Sequence, residues 1–251
     1  MQELLQNQEL LWVLTVVYDL GLAIILYRFF GKYGLYAAVI LGIVLGNLQG
    51  GKVSQLEFFG YSFTASMGAI LYSGIYFATD VLNEKFGREE ANRAVMLGFV
   101  ANIAVMITLL ISVQFRPSEI TGSALEVHNA ISTLAGYSPF FVIGSLIAYL
   151  VSQTFDVWIF HRIKVLTDGK YLWLRNNVST ITSQALDTFL YTFVWVIGTE
   201  LSFAAAFGIA LTKYVFKVII ALVDTIFILS LIHISEPTRP RLISYAVFCL
   251  K

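Results

Sequence analysis

The chain has 251 residues, of which 58% are hydrophobic and 13% charged, and its mean hydropathy is +0.77. Soluble domains carry roughly 25% charged residues, so this composition points into lipid, and an aromatic content of 15% suits belts at two interfaces. Zero formal net charge leaves no case for a nucleic-acid partner, and a single cysteine excludes a cysteine cluster.

A membrane helix needs about 20 mostly apolar residues, and seven segments are candidates. The first, 9–30, contains Asp19. It leads into further spans without a small-residue cleavage site, so no removable signal peptide is expected. The second, 33–48, carries Gly42-x-x-x-Gly46, a spacing that lets backbones approach closely. Read as re-entrant, it would leave six crossings. The third, 59–82, ends near Asp80, and the fourth spans 94–113. A polar connection over 114–138 follows, with Glu119, Glu126 and His128. The fifth helix spans 139–160, the sixth 177–198, and the seventh starts near residue 204 and includes Lys217 and Asp224. The expected fold is all-α, a polytopic integral membrane bundle.

Lys and Arg in the connections set the orientation. The odd connections hold nine (Arg28, Lys32, Lys85, Arg88, Arg93, Arg162, Lys164, Lys170, Arg175), against three (Lys52, Arg116, Lys213) in the even ones. This predicts an N-terminus outside and odd connections in the cytoplasm.

Within the apolar runs one pattern repeats. Ser152-Gln153-x-x-Asp156 returns as Ser183-Gln184-x-x-Asp187, 31 residues later. On a helix, positions three apart share a face, so each copy presents an amide and a carboxylate together. Such groups either tie helices to one another or line a site that a solute enters. Two copies at matching depth, joined by Asp224, Lys217 and Asp80, describe a cavity better than scattered ties. Lys217 forms either an ion pair with Asp224 or Asp187, or a coupling charge. Asp80 with Glu84 forms a candidate inner gate. Asn177 is grouped with the binding residues, and Asp19 has no partner nameable from sequence.

The chain lacks His-Glu-x-x-His, Gly-x-Ser-x-Gly and a Gly-rich phosphate loop. No catalytic residue, metal ligand or cofactor is therefore assigned. Asp, Gln and Asn side chains suit a neutral, planar, hydrogen-bonding solute such as a nucleobase: a carboxylate accepts adjacent N–H groups, and an amide reads a carbonyl.

These residues carry a resemblance. Ala78-Thr79-Asp80-Val81-Leu82-Asn83-Glu84-Lys85-Phe86-Gly87 with Ala91 and Arg93, the two Ser-Gln-x-x-Asp copies, Arg175-Asn176-Asn177, Asp187-Thr188, and Lys217 with Asp224-Thr225 resemble the queuosine precursor transporter family. The resemblance covers nearly all of residues 9–228. It implies import of 7-cyano-7-deazaguanine, 7-aminomethyl-7-deazaguanine or queuine across the lipid bilayer of the bacterial inner membrane, without a cofactor, and it admits a homo-oligomer. The alternatives are the substrate-binding membrane subunit of an ATPase-energised vitamin transporter, and more remotely an intramembrane enzyme using Asp156 and Asp187. Residues 229–251 resemble translated sequencing adaptor, so the transporter domain is expected to be 1–228, with the remainder an artefactual tail.

Overall fold

A computed structural model of the chain describes residues 7–58, 61–118, 122–136, 139–198 and 202–235. Helix α1 (Gln8–Phe30) is capped by the Asn7 side chain, which accepts the Leu10 N–H at 2.8 Å. Gly31, at φ +56°, turns the chain at once into α2 (Lys32–Leu48). An antiparallel hairpin follows, β1 (Val53–Phe58) with β2 (Tyr61–Ser66), tethered to α1 where Glu9 accepts the Glu57 N–H at 2.8 Å. Then come α3 (Met67–Lys85), α4 (Arg88–Gln114), α5 (Gly122–Ala135), α6 (Pro139–Leu166), α7 (Leu172–Gly198) and α8 (Phe203–Ser235).

The all-α membrane bundle is the fold observed. Among the described residues, four helices are long and apolar enough to cross a membrane: α1, α4, α6 and α8. The apolar α2 is shorter, at 17 residues. The remaining long helices, α3 and α7, carry most of the buried polar residues, which lowers their hydropathy without removing them from the bundle.

Two expectations are corrected. The third helix does not begin at residue 59. Residues 61–66 form β2, and the helix starts at Met67. Tyr-Ser-Phe-Thr-Ala-Ser alternates with period two and is rich in strand formers, a pattern concealed by its apolar content. The connection 114–138 is likewise not wholly irregular, because α5 lies inside it. At 14 residues α5 reaches about 21 Å, short of a hydrocarbon core. His128 sits half-buried on it. The tail reading falls largely outside the described residues, although α8 continues unbroken through Ser235.

The helices pack in two groups. Helices α1 to α4 form the first, with α3 against α2, α1 and α4. Helices α6 to α8 form the second, with α7 between its neighbours. Helix α3 also faces α6 and α8, so it stands at the seam. Every residue from Ser73 to Asn83 is buried, leaving α3 no solvent or lipid face there. The Gly42-x-x-x-Gly46 face acts in packing. Gly42 lies against Ile75 of α3, and Gly46 against Tyr72 and the Gly68 carbonyl.

That contact predicts unequal glycine substitutions. Gly68→Ala would drive a Cβ into the Gly46 carbonyl oxygen and should lower thermal stability in detergent. Gly21→Ala meets nothing within 4 Å in mid-helix and should stabilise by up to about 1 kcal/mol. Equal shifts in the two melting curves would refute the close approach.

Candidate functional site

The seam is polar along much of its length. At its deepest, Asp80 and Asn83 of α3 meet Gln153 and Asp156 of α6 and Asn176, Thr180 and Ser183 of α7, all essentially inaccessible to solvent. A buried charge or amide is tolerated only with partners, and these partners come across the seam. Thr180 donates to Asp80 at 3.3 Å, Thr79 to Gln153 at 3.4 Å, and the Asn83 amide to the Val157 carbonyl at 2.9 Å. Within the second group, Ser183 donates to Asp156 at 2.8 Å. The Asn176 amide donates to Thr225, one residue from the buried Asp224.

One end of the seam is closed by a clasp. Glu84, at the end of α3, accepts the Arg175 guanidinium at 2.7 and 3.0 Å and the Lys164 ammonium at 3.3 Å. Lys164 also donates to the Glu84 carbonyl at 2.7 Å. Arg175, read from sequence as a loop anchor, is 2% exposed. Its Nη1 donates to the carbonyls of Gly169 and Lys170. Those residues belong to the α6–α7 turn, where Asp168 and Tyr171 adopt left-handed φ values of 51° and 55°, a conformation costing about 1–2 kcal/mol in a non-glycine residue. One side chain thus fixes a strained turn and locks it to α3.

The other end is open. A cavity of about 240 Å³ lies between the groups near the hairpin, lined by Asn47, Tyr72, Tyr191, Asp187, Lys213 and Lys217 among others. Lys217 donates to Asp187 at 2.6 Å, so the ion pair selects Asp187 and not Asp224. Lys213, assigned from sequence to a connection, is one helical turn from Lys217 on the same face. The i,i+4 spacing was the available signal. Below this cavity a void of about 10 Å³ is bordered by Gln184, Thr180, Lys217 and Asp224.

The structure therefore divides the expected site residues. Asp187 and Lys217 face the large cavity, while Gln184 and Asp224 border the void. Asp80, Gln153 and Asp156 lie in the closed seam. Asn177 is half-buried and donates to the Trp173 carbonyl on its own helix, whereas Asn176 faces inward. Asp19 gains partners that sequence could not name: the Ser73 hydroxyl at 3.0 Å and the Gly74 N–H at 2.7 Å. A Cβ at Gly74 would lie 2.6 Å from that carboxylate.

Several buried polar atoms accept or donate nothing within the protein: Gln153 Nε2, Asn83 Oδ1, Asn176 Oδ1, Gln184 Oε1 and one carboxyl oxygen each of Asp80, Asp156 and Asp224. Buried polar groups are seldom left so. The set is rich in acceptors and suits a ligand rich in N–H donors. No cluster of three or more His, Cys, Asp or Glu arranged to hold a metal occurs among the described residues.

Apolar spans around a closed polar seam, with a solute-sized cavity at one end, define a multi-pass membrane protein of the transporter class. The sequence profile described as "Putative vitamin uptake transporter" matches residues 66–231, from the end of the hairpin through most of α8. The chain belongs to that family. It is 38% identical over 190 residues to a "Probable queuosine precursor transporter" of Bacillus subtilis (strain 168), covering 74% of this chain and 79% of that protein. A protein of the same description from Haemophilus influenzae is 28% identical over 131 residues, 52% of each chain. No solved structure matches the chain.

The clasp yields a stability test. Arg175→Ala leaves Glu84 facing Lys164 alone and frees the strained turn, and removing one partner of a buried pair costs about 3–5 kcal/mol. Unfolding of Arg175→Ala, Glu84→Gln and the double variant should show strong non-additivity. Additive losses would mean that the two groups act independently.

Proposed function

We propose that the chain imports queuosine precursors, 7-cyano- or 7-aminomethyl-7-deazaguanine or queuine, across the bacterial inner membrane, as a single chain or a homo-oligomer, and performs no chemistry on them. The observation that carries this is the asymmetric seam. Near the clasp it is bridged by Asn83, Glu84, Asp80 and Thr79. Near the hairpin the groups stand apart around the cavity, bridged there by Ser145 to Asn47 at 2.9 Å. Two helix groups gripping at one end and parted at the other form one state of an alternating-access cycle.

The lysine and arginine distribution orients the hairpin end outside and the clasp end toward the cytoplasm. A 7-deazaguanine presents adjacent N–H donors beside a carbonyl oxygen. Asp187 receives the N–H edge in the cavity, and Gln184 lies just beneath. Asp80, Gln153 and Asp156 become available when the seam opens, with Gln153 Nε2 as the donor to the carbonyl. Asn176 is better placed than Asn177 to join them. Asp156 and Asp187 have separate partners, Ser183 and Lys217, which gives an acid–base enzyme little support. We treat residues 229–251 as adaptor-derived and assign them no role.

Cells unable to make the precursor, fed low external base, should recover queuosine in tRNA when they carry the chain. Asp187→Asn at equal membrane abundance should reduce uptake at least about tenfold, the worth of one charge-assisted hydrogen bond. No recovery by the parent would sink the substrate assignment.

Accessibility tests the orientation. In a Cys249→Ser background, a single cysteine at Ser145 should react with an impermeant thiol reagent added outside intact cells, and one at Ser179 should not. The reverse pattern would invert the topology.

A further inference from the structure

Five buried carboxyl groups gather along the seam: Asp19, Asp80, Asp156, Asp187 and Asp224. The cations near them are few. Lys217 is engaged by Asp187, and Lys164 and Arg175 by Glu84. Asp80, Asp156 and Asp224 therefore touch no ammonium or guanidinium among the described residues. Three bare carboxylates in one dry core would repel one another, at a desolvation cost that hydroxyl donors cannot offset.

Two of these carboxyls are held close together by α7. Asp80 uses Oδ2 toward Thr180, and Asp156 uses Oδ1 toward Ser183. Asp80 Oδ1 and Asp156 Oδ2 meet no donor, and the hydroxyls that hold the two carboxyls, Thr180 and Ser183, lie three residues apart on one face of α7. Two carboxyl groups bond only through a proton held between them. The other charged and titratable groups around the pair are Asp19 from α1, Tyr76 and Glu84 from α3, Lys164 from α6, Arg175 and Asp187 from α7, and Lys217 and Asp224 from α8.

We propose that Asp80 and Asp156 form a proton-binding site, and that the proton it holds is the coupling ion of transport. The inference rests on the transport reading above. Asp80 belongs to the first helix group and Asp156 to the second, so a shared proton ties the seam where it is closed. Its loss leaves two adjacent negative charges, which force the seam apart one helical turn from the Glu84 clasp. The proton thus binds the two states unequally, as a coupling ion must. A route reaches it from the cavity. Lys217 borders both the cavity and the void of about 10 Å³, close to the roughly 10–15 Å³ that one water needs. Thr180 borders the same void and hydrogen-bonds to Asp80. One proton enters with the base at the hairpin end and one leaves at the clasp end.

The full chain in liposomes, with voltage clamped and 7-cyano-7-deazaguanine outside, tests this. An acid exterior should drive about tenfold accumulation per pH unit while the interior acidifies. A parent that equilibrates the base without accumulating it overturns the proton site and leaves transport standing. A parent that moves no base under either condition overturns the transport reading. Infrared spectroscopy needs no transport: at neutral pH the parent should show a protonated-carboxyl band that diminishes in Asp80→Asn and in Asp156→Asn. A parent without the band, or folded variants that retain it in full, overturns the site.

Discussion

Placing carboxylates where neither water nor headgroups reach them costs several kcal/mol for each unpaired ion, and among the described residues this chain buries Asp19, Asp80, Asp156 and Asp224 between its helices, with Asp187 at the cavity edge. The rest of the architecture follows from how that cost is offset. Hydroxyl side chains of α3 and α7 are spent on Asp80, Asp156 and Gln153, and Lys217 on Asp187. Gly74 keeps a bare backbone N–H against Asp19. Helix α3 has no free face because each side of it must either supply or shield a polar contact.

Such a seam is also where two helix groups can part. Apolar packing between helices in lipid has little hydrophobic penalty to lose on separation, so polar bonds decide whether the groups stay together. Near the clasp the bonds are charged, part-buried and mutually supporting. Glu84, Arg175 and Lys164 also hold a strained turn. Near the hairpin the groups are separated by a cavity, and the ion pair at its edge joins α7 to α8 within one group. The hydrogen bonds along this one interface are thus concentrated at the clasp end and sparse at the cavity.

Much of this was legible in residue order. Length and hydropathy fixed the α-helical membrane class, and the repeated Ser-Gln-x-x-Asp marked α6 and α7 as the helices bearing the polar face. The hairpin was not legible by the same means, because counting apolar residues over 59–82 ignored the period-two alternation before Met67. Helix α5 was passed over for a related reason: a search for spans does not detect a helix too short to be one. Lys213 was assigned to a connection although its spacing from Lys217 placed both on one face.

What the sequence determined by itself is local and periodic: which segments are apolar enough for lipid, and which faces carry Gln and Asp. The tertiary structure alone decided the pairings. Lys217 meets Asp187 and not Asp224, Asp19 meets Ser73, and Arg175 turns inward to Glu84, 91 residues away in the chain. The physical reason is that a buried charge's partner depends on helix rotation and depth, which no single helix encodes. Those are set only when all the faces are packed together.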